Sequence, residues 1–330
     1  MAERVLAVIP CFNEESHIEK LARRLLAAAQ DLPMRIAIAD GDSTDRTPEI
    51  AQKLAHENTN LLYLKNPKRR QAAGVNLAAA TYGADAEFLI RIDAHADYPR
   101  DYCQTLVQEA QQTGADAVAV RMITAGDGWF QRAVSAVQNS RLGHGGALHR
   151  TAGGDGQWVD HGHHALIRLD AFRAVGGYDA SFSHNEDAEF DTRLVRAGRK
   201  IWLSGKTAAI YYPRSSPVAL FRQYMRHGEG RARHILKHRV RPKWRQLLPA
   251  LVLPTGLLAL LGLFHGPAAW PLAAWIVFCL GYGIALGVRA KDTAIGLLAG
   301  FAAMIMHVGW SCGFWRGIVK SFFGSYACER

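Results

Sequence analysis

Four clusters of polar side chains stand out by type and spacing. "RIDAHADYP" sets Asp93, His95 and Asp97 two residues apart; "IADGDSTDRT" carries Asp40, Asp42 and Asp45; "CFNEE" offers Asn13 and Glu14; "HNEDAEFD" places Glu186 beside Asp187. Carboxylate and imidazole two apart can reach one divalent cation, because extended residues i and i+2 face the same way. A set of oxygens alone suits Mg²⁺, and an imidazole among them tilts the choice toward Mn²⁺. Each cluster also has a plainer explanation. Asp42 and Asp45 sit where acids complement a helix N-terminus, Asp97 precedes Tyr98-Pro99 as a turn or helix-start acid, and Glu186 and Asp187 follow Asn185, a natural cap. His95 can serve as a turn residue bonded to the backbone.

These residues need elements to place them, and the first 205 residues supply an alternation. "RVLAVIP", "MRIAIAD", "NLLYL", "EFLIRID" and "ADAVAVRMI" read as strands. Between them, "EESHIEKLARRLLAAAQ" is helical by the spacing of Ile18, Leu21 and Leu25, and a second helix starts near Pro48 with Ser43 or Thr44 as its cap. "RRQAAGVNLAAATYG" and "RDYCQTLVQEAQQTG" are further helices, closing on Gly83 and Gly114. Strand–helix alternation predicts an α/β fold, a mostly parallel Rossmann-like sheet with helices on both faces. Ligands of such sheets bind beyond the carboxyl ends of the strands, and the acidic clusters lie there. No GxGxxG and no GxxxxGK[ST] is present to cradle phosphates. Carboxylates repel a bare diphosphate, so acids at strand ends without a glycine loop point to a nucleotide held through a metal ion.

The rest of the chain has another character. The 330 residues carry a net charge of +10, and the 32 residues from Arg214 to Arg245 hold ten Lys or Arg against one acid, Glu229. Charges nearly vanish afterwards. Residues 247–264, 268–288 and 294–310 are apolar runs of about the length that crosses a ~30 Å hydrocarbon core. The basic window adjoins the first of them, which predicts a plasma-membrane (inner-membrane) protein with residues 1–246 cytoplasmic. Three full crossings would put Arg316, Lys320 and Arg330 on the far side, against that rule, so a re-entrant or interfacial third segment stays open. The domains expected are 1–213 catalytic, 214–246 basic and juxtamembrane, and 247–330 membrane-embedded with two to three transmembrane helices. Cys11, Cys103, Cys279, Cys312 and Cys328 form no CxxC pair and fit a reducing compartment. "RVLAVIP" is too short for a signal core.

Taken together and in order, "VIPCFNEE", "IADGDSTDRT", "RIDAHADYP" and "HNEDAEFDTRLVRAG" resemble the motifs of family-2 glycosyltransferases, inverting enzymes of the GT-A fold that use nucleotide-diphosphate sugars. The resemblance covers roughly residues 4–240, and it is greatest to the bacterial exopolysaccharide branch of the succinoglycan glucosyltransferase type. It implies roles. Pro10 to Glu14 would form the first nucleotide-contacting loop, with Asn13 and Glu14 on base or ribose. Asp40 would hydrogen-bond the base, with Asp42 or Asp45 close by. In residues 66–76, Arg69, Arg70 or Gln71 would reach a phosphate, though a solvated helix start explains the two arginines equally well. Asp93 and His95 occupy the metal-binding DxD positions, with His replacing the second Asp, and the cation would neutralise the diphosphate leaving group. Asp187 would be the base that single-displacement inversion requires, with Glu186 seating the acceptor.

Two further stretches carry chemistry. "HGHH" (161–164) is dense in imidazole, yet no Cys or acid pair completes a zinc site in the sequence; it reads as a strand near the sugar pocket with one polar His and the others structural. Gln223-Tyr-Met-Arg226-His227 is similar to the QxxRW element of processive synthases with His for Trp, so Gln223 or Arg226 would contact acceptor or diphosphate. The same segment also reads as a basic amphipathic helix on anionic lipid headgroups.

The reading that accounts for most of the chain is a membrane-bound transferase. Its donor is a nucleotide-diphosphate sugar, a UDP-sugar first, and its acceptor a polyprenyl-diphosphate-linked glycan. A polyprenyl-phosphate monoglycosyltransferase and a processive polysaccharide synthase are the alternatives within the class; few spans and the altered QxxRW disfavour the second. A transport or scaffold protein leaves the 246-residue α/β part unexplained. A nucleic-acid binder is disfavoured because the basic window abuts a membrane span.

Overall fold

A computed structural model describes residues 5–146, 154–262 and 266–323. The described residues form two compact units: one up to Met122 and from 154 to Tyr211, the other from Ile123 to 146 and from Tyr212 onward. The stretch after Met122, which a division at residue 213 assigns to the catalytic domain, thus packs with the C-terminal part.

The first unit is built on a sheet. β1 (Val5–Cys11), β2 (Met34–Asp40), β3 (Leu61–Lys65) and β4 (Phe88–Arg91) are parallel, in the order β3-β2-β1-β4. β1 is buried along its whole length, as a strand covered on both faces must be. Its side chains alternate between two cores. Val5, Ala7 and Ile9 join Ile18, Leu21 and Leu25 of α1 (Ile18–Ala28), Leu54 of α2 (Thr47–Glu57) and Leu106 of α4 (Tyr102–Thr113). Leu6 and Val8 join Ala72, Val75 and Ala79 of α3 (Gln71–Tyr82) and Phe190 and Leu194 of a later helix. Gly114 ends α4 in the left-handed conformation, φ 68°, as the sequence predicts.

The other half of the sheet departs from the parallel expectation. β8 (His163–Arg168) lies between β4 and β6 (Ala117–Thr124), antiparallel to both, and β5 (Ala96–Asp97) and β7 (Gln157–Val159) pair antiparallel with β9 (Ile201–Tyr211). The sheet is therefore mixed. Alternation alone could not show this, because strand direction depends on which neighbour a strand finds. The reversal has one consequence for the site: Ile90 of β4 faces Leu166 of β8, so β8 begins at the edge of the sheet where β4 ends.

Three local expectations fail. Ser43 and Thr44 do not cap α2, which starts at Thr47; they turn toward Asp40 and Asn13 instead. Asn185 has φ 63° and makes no side-chain cap on α8 (Glu186–Arg196), the helix that carries Phe190 and Leu194. Asp97 belongs to the two-residue strand β5, where its carboxylate lies 3.6 Å from Arg24.

In the second unit α5 (Trp129–Gln138), α6 (Arg141–His144) and the basic α9 (Pro217–His238) accompany the apolar segments. (α7, Leu169–Ala174, belongs to the first unit.) The first apolar segment is broken into α10 (Trp244–Ala250) and α11 (Val252–Leu261); α12 (Trp270–Arg289) and α13 (Thr293–Phe322) follow. All three segments are long and apolar enough to cross a membrane. At the break, Leu253 N–H donates to Ser311 Oγ (2.9 Å), while Ser311 Oγ–H and Trp315 Nε1–H donate to the Ala250 carbonyl (2.8 Å each). This keeps the backbone groups freed at the break partnered within the protein. α13 lies against α9 at glycine contacts: a Cβ on Gly313 would stand 1.8 Å from the Met225 carbonyl oxygen. Glu229 of α9 accepts from Lys320 of α13 at 2.6 Å and pairs with Arg316 at 3.5 Å. Arg330 and Cys328 lie outside the described residues.

Candidate active site

The parallel register aligns the polar clusters. Cys11 sits opposite Asp40, and Val8 opposite Arg91, so the ends of β1, β2 and β4 open onto one edge. Pro10 is a buried residue of β1. Asp40, 1% exposed at the end of β2, accepts from the Ser43 hydroxyl (2.5 Å) and the Tyr63 hydroxyl (3.2 Å). Asn13 knits this loop to the next: its N–H donates to Ser43 Oγ (2.9 Å) and its Oδ1 accepts from Thr44 N–H (2.8 Å). Its positive φ of 56° is one that Asn tolerates better than most residues.

The "RIDAHADYP" stretch is not extended. Residues 94–95 form a turn after β4, so the argument that residues two apart share a face does not hold here. Asp93 and His95 take separate partners. Asp93 Oδ1 accepts from Gln71 Nε2 (2.8 Å), while His95 Nδ1 lies 3.1 Å from Glu14 Oε1. Glu14 Oε2 in turn lies 3.1 Å from His17 Nδ1. Among the described residues, no three His, Cys, Asp or Glu side chains gather as one metal cage.

The centre of the edge is Arg91, which the sequence reading passed over. Its guanidinium bonds Asp187 Oδ1 and lies 3.4 Å from Glu186 Oε1 and 3.8 Å from Asp93 Oδ1. The signal was present: an arginine closing the apolar run "FLIR", 7% exposed in the fold, demands charged partners. Three carboxylates thus share one buried cation, and their environments split them. Burial raises Glu186, the adjacent Asp187 charge raises it further, and Arg91 offsets only part, so it is pushed up to about 7. Burial also opposes ionisation of Asp187, but the Arg91 charge and the nearby imidazoles of His163 and His164, at 3.7 and 3.6 Å, hold it well below the usual carboxylate range. Asp93 is lowered too: burial is outweighed by Arg91, then His163 and His95. Near neutral pH the pair is thus split: Asp187 is held as a carboxylate, while Glu186 is pushed toward its protonated form.

The "HGHH" strand is β8, and because β8 runs back from this edge its histidines face the acids. His163 lies 3.7 Å from both Asp93 and Asp187, and His164 is fully buried between Asp191 and the Tyr178 hydroxyl. Two of the predicted arginines are engaged within the first unit. Arg69 pairs with Asp42, which Lys65 also approaches at 3.2 Å, and these cations lower the Asp42 carboxyl. Arg70 donates to the Ala180 and Ser181 carbonyls (3.1 and 2.7 Å), fixing the loop before α8. Gln223 and Arg226 belong to α9 in the second unit.

Comparison with known proteins gives this geometry a context. Residues 6–176 match the model of glycosyl transferase family 2. The chain is 54% identical, over 95% of its length and 94% of the relative's, to the succinoglycan biosynthesis protein ExoA of Rhizobium meliloti. It is 25% identical, over 70% of its length and 73% of the relative's, to a dolichyl N-acetyl-alpha-D-glucosaminyl phosphate 3-beta-D-2,3-diacetamido-2,3-dideoxy-beta-D-glucuronosyltransferase of Methanococcus voltae. Among solved structures, the mannosyltransferase PcManGT of Pyrobaculum calidifontis, in complex with GDP-Man and Mn²⁺, superposes with a TM-score of 0.59 at 20% identity, covering 93% of this chain and 88% of that one. That last likeness is one of fold. With the family model matching more than half of the chain and a relative more than half identical over nearly all of it, the chain belongs to glycosyl transferase family 2.

Proposed function

We propose that this glycosyltransferase works at the membrane, moving a hexosyl group with inversion from a nucleotide-diphosphate sugar, a UDP-sugar first, to a polyprenyl-diphosphate-linked oligosaccharide during exopolysaccharide assembly. The observation that carries the chemistry is the convergence of Asp93, Glu186 and Asp187 on Arg91 at the strand ends. The exopolysaccharide setting is supported by the relative named for succinoglycan biosynthesis, and the lipid-linked acceptor by the dolichyl-linked substrate in the other relative's name. In this reading Asp187 takes the proton of the acceptor hydroxyl as the acceptor oxygen bonds the anomeric carbon and the bond to the diphosphate breaks. Glu186 seats the acceptor hydroxyl. Asp40, Asn13 and Glu14 line the nucleotide end, and Gln71 orients Asp93.

The donor set fits a divalent cation, Mn²⁺ or Mg²⁺, only as a partner of the substrate. Asp93 and His95 would offer one carboxylate and one imidazole, and the diphosphate oxygens would complete the shell, as is usual where a cation serves phosphates. Bound there, it would offset the charge of the departing diphosphate. UDP-, GDP- and dTDP-sugars should therefore be screened for thermal shift with and without Mn²⁺. One UDP-sugar is expected to stabilise the protein only with the cation, and Asp93→Ala to lose that response. Equal shifts with and without the cation would remove the metal from the reading.

The membrane placement is the plasma membrane, with the catalytic unit cytoplasmic and the Arg222 and Arg226 face of α9 on anionic headgroups. Because Lys320 and Arg316 pair with Glu229 of that basic helix, the end of α13 stays on its side of the bilayer. A reporter fused to the C-terminus is expected to be active only as a cytoplasmic one. A periplasmic readout would restore three full crossings.

A further inference from the structure

Asp187 stands one helical turn before Asp191 on α8, and His164 of β8 fits between the two. His164 Nε2 bonds Asp191 Oδ1, and Nδ1 lies 3.6 Å from Asp187 Oδ1 and 3.0 Å from the Tyr178 hydroxyl. Asp191, 1% exposed, is saturated on its other oxygen: Oδ2 lies 2.6 Å from His161 Nδ1 and accepts from Gly162 N–H at 3.2 Å. The His161 imidazole, the Gly162 N–H and the His164 imidazole thus all hold the Asp191 carboxylate, which in turn fixes the His164 ring. Phe190 and Tyr178 wall the ring at centroid distances of 5.3 and 6.0 Å, which leaves it no second rotamer without displacing aromatic core.

We infer that His164, anchored by Asp191, is a positioning residue for the Asp187 carboxylate: its ring, held 3.6 Å from Asp187 Oδ1, gives that group a second cationic neighbour besides Arg91. The inference rests on Asp187 being the base proposed above. Its electrostatic side is consistent. Burial disfavours an imidazolium at His164, but the Asp191 charge, followed by Tyr178, holds it protonated well above the usual imidazole range. Asp191 is itself lowered: burial opposes ionisation, and His164 and His161 outweigh it. The groups facing Asp187 are Arg91 from β4, Glu186 beside it, His163 and His164 from β8, and Tyr178, with Asp93 adding repulsion across Arg91. Those facing His164 are Asp187, Asp191 and Tyr178. Removing the imidazolium therefore leaves Arg91 to hold the acids with less help.

The test is the pH profile of kcat/KM in His164→Gln and Asp191→Asn. Glu186 and Asp187 titrate as a pair, so the acid limb belongs to both. Losing a nearby opposite charge is expected to move that limb up by about one pH unit or more. kcat is expected to fall about tenfold, with the donor KM changed less than about twofold, because both side chains are buried. The double variant should add little, since both changes remove one device. If His164→Gln does not fold, Asp191→Asn, which keeps the shape of the side chain, carries the measurement alone. A folded variant whose acid limb stays where the wild type has it overturns the inference and leaves His164 a packing residue. The base assignment is tested on another variant, Asp187→Asn, so the two failures can be told apart.

Discussion

Asp187→Asn is expected to slow transfer about 10²- to 10⁴-fold, the usual worth of a positioned base, while donor binding changes less than about threefold. Asn keeps the shape and leaves an oxygen for the Arg91 guanidinium, so the fold of α8 should survive. What it loses is the charge that takes the proton. The neighbour makes the outcome sharper. The Asp187 charge is part of what pushes Glu186 up to about 7. Without it, and with Arg91 released toward Glu186, that glutamate should ionise at lower pH and supply the residual turnover. The variant is therefore expected to be slow and to lose its remaining activity as pH falls through the Glu186 value, whereas the wild-type base, held well below the usual carboxylate range, stays ionised to lower pH. Glu186→Gln should give the converse: a proton donor or acceptor near neutrality is gone, so the acid limb flattens while much of the rate remains. A wild-type rate in Asp187→Asn together with an inactive Glu186→Gln would move the base to Glu186. Calorimetry of donor binding in both variants separates chemistry from folding.

The strands of the parallel half and helices α1 and α4 were legible because burial on both faces writes continuous apolar runs and burial on one writes a 3.6-residue spacing. The motifs also placed Asp93, Glu186 and Asp187 in one region. What the sequence concealed were facts of pairing. Nothing local in "HGHHALIR" says that it enters the sheet antiparallel between β4 and β6, and only that direction sets His163 and His164 at the edge with the acids. Arg91 was hidden for a related reason: next to a row of acids it looks like a solvated end, and only the approach of α8 makes it a hub. The failed caps follow the same logic. Ser43, Thr44 and Asn185 have the right types, but tertiary partners such as Asp40 and Asn13, or a left-handed backbone, claimed them first.

Replacing that hub should have the second large effect. Arg91→Met is expected to cost roughly 3–5 kcal/mol of stability, the range for breaking a buried ion pair by removing one partner. Asp93, Glu186 and Asp187 would then face one another with only the histidines of β8 between them. The pH dependence distinguishes this cause from lost packing. In the wild type Asp93 and Asp187 are held below their ordinary values, so their contribution to stability is present above about pH 4 and is lost as pH falls through the depressed folded values. The variant lacks that contribution and gains repulsion, which protonation relieves. The gap between wild type and variant should therefore be widest near pH 7 to 8 and narrow as the pH is lowered toward 4. Thermal unfolding in a lipid nanodisc at several pH values reads it directly. A gap independent of pH would mean that Arg91 matters as volume and not as charge. Arg91→Lys should recover part of the stability but less of the activity, because an ammonium is a compact charge and cannot reach Asp93, Glu186 and Asp187 at once with the planar fork of a guanidinium. If Lys restored full turnover, the site would need only a buried positive charge, and the splitting of Glu186 from Asp187 by the geometry of Arg91 would not be what poises the pair for proton transfer.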